Sequence, residues 1–149
     1  MIHYDIVTTT NEAVNTVAIE KGIRNAGKKL GKISDKFVML EFVSPHESQA
    51  VNQELRDDNR ATDCISVPTH ETKIGDQIIH VQPNGAIDIE VQPKQSINHP
   101  WPAIGQLIIC PEIVATNAQL AGQLPESELE WVIEHGILHL MGFHHEEGR

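Results

Sequence analysis

The chain has 149 residues, 40% of them hydrophobic and 21% charged, with a formal net charge of −10. That length suits a single domain, residues 1–149, with a real core. The composition is that of an ordinary globular protein, neither disordered nor membrane-embedded, and two cysteines are too few for a disulfide scaffold. The opening residues Met1–Val7 carry no basic flank before a long apolar stretch, and no apolar run reaches the length of a membrane span, so a cytoplasmic protein with no membrane partner is expected.

Residues 2 to 8 read as a strand, and Asn11 is placed to cap a helix running to about residue 30, with Val14, Val17, Ile23 and Leu30 among its apolar positions and Gly31 as its stop. Lys36 to Val43 forms a second strand, and Ser44-Pro45 opens a helix that ends near Arg56. Asp63 to Val67 is a third strand, Ile78 to Val91 a hairpin about Pro83-Asn84-Gly85, and Gln92 to Pro102 a loop. Gly105 to Cys110 makes a fourth main strand, followed by a helical segment from Pro111 to about Ala121. A last helix runs from Pro125 to about Met141, with Glu126, Glu128 and Glu130 in its early turns, where negative charge suits the helix dipole. The order of elements predicts an α+β fold, a small mixed β-sheet packed with helices. Cys64 and Cys110 each lie in an apolar strand-like run and read as free thiols, not as metal ligands.

The charge is unevenly spread. Six of the eleven Lys and Arg residues, Lys21, Arg24, Lys28, Lys29, Lys32 and Lys36, fall in one short stretch. The overall acidity opposes non-specific binding to a polyanion, whereas this stretch is either a solvated helix face or a phosphate-facing patch.

The densest chemistry lies at the C-terminal end. His135 and His139 are four apart, which stacks both imidazoles on one face of a helix, where they can converge on one ion. Gly142 breaks the helix and can turn the chain back, so that His145 supplies a third ligand; His144, its neighbour, could take that place. Three histidines leave a tetrahedral Zn2+ with one open position, the arrangement of a catalytic site. The same spacing occurs in metzincin peptidases, but these need a glutamate directly after the first histidine, where this chain has Gly136.

The segment His135-Gly136-Ile137-Leu138-His139-Leu140-Met141-Gly142-Phe143-His144-His145 resembles the H-G-x-L-H-L-x-G-[YF]-D-H motif of the YbeY endoribonucleases. Arg56, followed by Thr62-Asp63-Cys64-Ile65-Ser66, is similar to that family's R-x5-T-[DN]-V-L-S-F, and Ile104 to Ile109 with Pro111-Glu112 is similar to its L-G-D-I-x-I-x-P-E segment. The chain departs from the pattern at His144 and Gln106, where the family usually has Asp, and at Val67, where it has Phe; the stretch between the second and third blocks is also longer than usual.

The resemblance implies one zinc per chain, held by His135, His139 and His145 on the C-terminal helix and the turn after it. It implies metal-dependent cleavage of single-stranded RNA in ribosome maturation, with small-subunit rRNA, ribosomal proteins or a ribosome-associated GTPase as partners. Arg56 and His139 would be the catalytic residues, Arg56 engaging the phosphate, with His144 as an alternative ligand or an acid/base group; on the phosphate-patch reading of the basic stretch, Lys21, Arg24 and Lys28 contact RNA. Arg56 also has a plainer reading, a surface helix residue paired with Asp57 or Asp58. Two other functions fit the same residues: an assembly factor that keeps the metal as a structural staple, and a metal hydrolase acting on something other than RNA.

Overall fold

The computed structural model describes residues 1–69, 76–92 and 100–143. In chain order the elements are β1 (Ile2–Thr8), α1 (Thr16–Leu30), β2 (Lys36–Phe42), α2 (Pro45–Arg56), β3 (Cys64–Pro68), β4 (Asp76–Val81), β5 (Ile87–Gln92), β6 (Ala103–Ile109), α3 (Pro111–Ala121) and α4 (Pro125–Leu140). A four-stranded mixed sheet has the order β1-β2-β6-β3, in which β1, β2 and β6 run parallel and β3 pairs antiparallel with β6. β4 and β5 form a separate antiparallel hairpin. The fold is α+β, as the order of elements predicts.

Alternation along the central strands sends side chains to two apolar layers. Val38, Leu40 and Phe42 of β2 and Leu107 and Ile109 of β6 meet α1, α3 and α4 on one face. On the other face, Ile65 and Val67 of β3, Ile108 and Cys110 pack with Val51 of α2 and with Ile79 and Val81 of the hairpin. Burial on both faces explains why β2 and β6 read as nearly continuous apolar runs.

α4 is set close to both of its neighbours. A Cβ built on Gly136 would lie 2.8 Å from Leu107 Cδ2 in the sheet, and one built on Gly22 of α1 would lie 2.7 Å from the Glu130 carbonyl oxygen of α4. Lys21 reaches Glu130 across the α1–α4 contact at 3.4 Å, and Lys29 pairs with Glu134 there.

Two local expectations change. The N-cap of α1 is Asn15, whose side chain accepts from Ala18 N at 3.1 Å, and not Asn11. Hydroxyl contacts hold the preceding residues: Thr8 Oγ1 accepts from Thr10 N, Thr10 Oγ1 accepts from Glu12 N, and Thr9 Oγ1 donates to Glu47 Oε2 while its N donates to Phe42 O. Such contacts compete with helix formation and delay its start. With the later start Val17 faces solvent, and Ala18, Ile19, Gly22, Ile23 and Ala26 form the buried stripe. α2 begins where Ser44-Pro45 places it, with a reciprocal capping box in which Ser44 Oγ accepts from Glu47 N and Glu47 Oε1 accepts from Ser44 N. Residues 93–99 of the expected Gln92–Pro102 loop lie outside the described residues.

The hairpin is fastened to the sheet by a buried polar clasp. Gln106 Nε2 donates to Ile79 O at 2.8 Å and its Oε1 accepts from Ile79 N at 3.0 Å, so the side-chain amide acts as a one-residue strand partner. The same Nε2 lies 2.9 Å from Glu41 Oε2, and Glu41 Oε1 accepts from Val81 N at 3.2 Å. Glu41 and Gln106 are 2% and 3% exposed, so these bonds form away from water, where an unmade one is costly. Replacing Gln106 by Leu should therefore lower the unfolding free energy by about 1–3 kcal/mol for each group left without a partner, measured by urea denaturation.

Burial raises the Glu41 carboxyl above its ordinary value of 4.5. The folded chain thus holds a proton that the unfolded chain has already released, and the contribution of this group to stability is complete below 4.5 and lost as pH rises through the raised value. Urea midpoints taken from pH 4.5 upward should show this decline in the native chain, and the difference between native and Glu41→Gln should carry the whole of it.

Candidate functional site

A cleft of about 580 Å³ opens between α4, the edge strand β3 and the C-terminal end of α2. Its walls include Trp131, His135 and His139 from α4, Arg56 from α2, and Thr62, Asp63, Cys64 and Ser66 at the start of β3.

The α4 wall follows from helical periodicity. Trp131, His135 and His139 lie at successive four-residue steps and form a column of rings: the indole and the His135 imidazole are stacked at 4.6 Å and 14°, and the two imidazoles are 4.1 Å apart, tilted by 48°. Gly136, one residue on from His135, faces the sheet against Leu107, which fixes how α4 is turned about its axis. His139 Nε2 is buried in the cleft wall. After α4 the chain turns at Gly142, whose φ of 90° belongs to the left-handed region, as the sequence reading expects. His144, His145 and Glu146 lie outside the described residues.

The facing wall is held by polar contacts between α2 and the segment leading into β3. Ser48 Oγ donates to Thr62 O at 3.0 Å and accepts from Thr62 N at 2.9 Å, and Asn52 Nδ2 donates to Arg60 O at 2.9 Å. Arg56 is anchored by Nη2 donating to Ser66 O at 2.6 Å, so its guanidinium is tied to β3 across from the histidines. Its two acidic neighbours bond to other residues: Asp58 takes two bonds from Arg60, at 2.9 and 2.8 Å, and Asp57 Oδ1 accepts from Gln53. The Arg60 contact holds the Asp58 carboxyl below its usual range, and so charged.

The structure thus brings Arg56, His135 and His139 to one cleft and leaves the basic stretch outside it. Lys21 pairs with Glu130, while Arg24 and Lys28 line a separate groove with Ile2 and Tyr4 of β1. Glu134, the neighbour of His135, is turned to Lys29 and is a structural partner. Trp131 is a cleft residue to which the sequence reading gave no role, although its place four residues before His135 was a signal for it. Among the described residues no cluster of three or more His, Cys, Asp or Glu side chains is set to hold a metal. The donors present nevertheless suit a zinc ion in part, since two imidazoles converge on one wall and the third expected donor, His145, follows the Gly142 turn.

Fold and cleft together define an α+β protein with paired histidines facing an anchored arginine. The family model described as Endoribonuclease YbeY matches residues 5–149, and the chain belongs to the YbeY family, metal-dependent hydrolases that act on RNA. It is 30% identical over 107 residues to the endoribonuclease YbeY of Acidothermus cellulolyticus, a match covering 71% of this chain and 56% of that protein. With the endoribonuclease YbeY of Limosilactobacillus reuteri it shares 32% identity over 126 residues, 84% of this chain and 71% of that one. The solution structure of a Thermotoga maritima protein has a similar fold, with a TM-score of 0.52 at 26% identity, covering 98% of this chain and 75% of that chain. Among the described residues no helix is long and apolar enough to cross a membrane.

Burial raises the Cys64 thiol far above its ordinary value, helped by the Asp63 charge, and burial raises Cys110 as well. Neither should supply thiolate near neutral pH. Iodoacetamide should leave both unmodified in the folded protein and label both once urea is added, as counted by intact-mass spectrometry.

Proposed function

We propose that residues 1–149 form one zinc-dependent endoribonuclease domain that cuts single-stranded RNA, with small-subunit rRNA as the biological substrate. It would act in the cytoplasm during ribosome maturation, beside ribosomal proteins or a ribosome-associated GTPase. The observation that carries this reading is the meeting of His135 and His139 on α4 with Arg56 on α2 across one cleft. Family membership supports RNA as the substrate class.

In this proposal His135 and His139 hold the zinc together with His145, or with His144 in its place. When bound, the zinc supplies Lewis acidity at a phosphate oxygen or to the attacking water. Arg56 engages the scissile phosphate, because a planar guanidinium matches two phosphate oxygens and offsets the charge that grows on them. Its tie to Ser66 O sets it in place before substrate arrives, so little ordering is left for the moment of reaction. Arg24 and Lys28 would meet RNA only beyond the cleft, and Lys21 would do so in competition with Glu130. Gln106, one of the departures from the family pattern, bonds to the hairpin and does not line the cleft.

Protein purified without a histidine tag should contain about one zinc per chain by mass spectrometry and cut a single-stranded RNA oligonucleotide. His139→Ala should lose both zinc and cleavage. Arg56→Ala should keep the zinc while kcat falls by about 10²–10³, the usual cost of removing one charge-stabilising donor, with little rescue by Arg56→Lys. Metal-free native protein would sink the site, and full zinc without cleavage would favour the assembly-factor reading.

A further inference from the structure

We propose that Trp131 is a stacking platform for one base of the RNA strand at the end of the histidine column, a reading that rests on the function proposed above. The cleft joins two chemistries that a nucleoside phosphate also joins. One wall carries a flat indole and the other a guanidinium anchored on β3. Among the described residues Trp131 is the only Phe, Tyr or Trp side chain in the cleft lining, so it alone there offers a broad π surface to a base.

Its burial fits this role. Trp131 is half-buried, packed against the core on one side and lining the cleft on the other, so part of it is open to a ligand in the cleft. The stack on His135, at 4.6 Å and 14°, limits rotation of the indole, so the platform is ordered before a strand arrives. Thr62 and Ser66 add hydroxyl groups to the same lining. Stacking of this kind tolerates any base, since every base has a π face, and it selects unpaired strands, whose bases can leave the helical stack.

The chain has two tryptophans, and the other, Trp101, stacks on His3 outside the cleft lining. Trp101→Phe therefore leaves Trp131 as the sole indole reporter. The zinc-containing protein would be titrated with a 2′-O-methyl oligoadenylate, which resembles RNA, and with an abasic oligomer of equal length and charge. Binding is followed independently by anisotropy of the labelled oligomers. The expected result is quenching of Trp131 by the base-bearing strand only, affinity about tenfold weaker in Trp131→Leu, and recovery of most of it in Trp131→Phe.

Unchanged emission while anisotropy reports binding would overturn the platform and leave the endoribonuclease reading standing. So would equal affinities of native and Trp131→Leu protein. Absence of binding to any single strand would overturn both. The emission arm keeps Trp131 itself, so it decides the matter even if the Leu variant fails to fold.

Discussion

α4 lies so close to two neighbours that a side chain at either contact would collide with them. On one side Gly136 meets Leu107 of the sheet, and on the other Gly22 of α1 meets the backbone of α4 at Glu130. With both contacts made, α4 can neither roll nor lift without opening the core. Its remaining face, with Trp131, His135 and His139, is thereby aimed at β3 and the end of α2. The place of both imidazoles in the cleft follows from that constraint, because side chains four residues apart share one wall only when the helix carrying them is fixed in rotation.

The opposite wall depends on hydrogen bonds in place of apolar contact. Ser48 and Asn52 hold the segment before β3 against α2, and Arg56 is then fastened to the strand that follows. A rigid apolar wall thus faces a polar one.

Periodicity and end signals made much of the fold readable in the sequence. The Ser44-Pro45 start, the turn at Pro83-Asn84-Gly85 and the apolar runs of β2 and β6 each have one local cause, and the structure follows them. The start of α1 was misplaced because Asn11 and Asn15 are equally good caps in isolation, and only the threonine contacts to β2 and α2 decide between them. In the site, the two helical histidines could be read from spacing alone. Arg56 could be placed only by resemblance, since nothing local shows that the end of α2 faces α4. The basic stretch could not be resolved from sequence either, because its partners Glu130 and Glu134 are distant in the chain.

The clasp beneath the hairpin carries a consequence for how such a chain can vary. Gln106 spends both ends of its amide on a single residue of β4, and Glu41 spends its two oxygens on that amide and on the next strand contact. A shorter chain without β4 and β5 would leave this amide and carboxylate facing nothing that could satisfy them, while a chain that gained the hairpin but kept a shorter acid at 106 could not reach both peptide groups at once. The hairpin and the residue beneath it are therefore a matched pair, each satisfying polar groups that the other would leave without a partner.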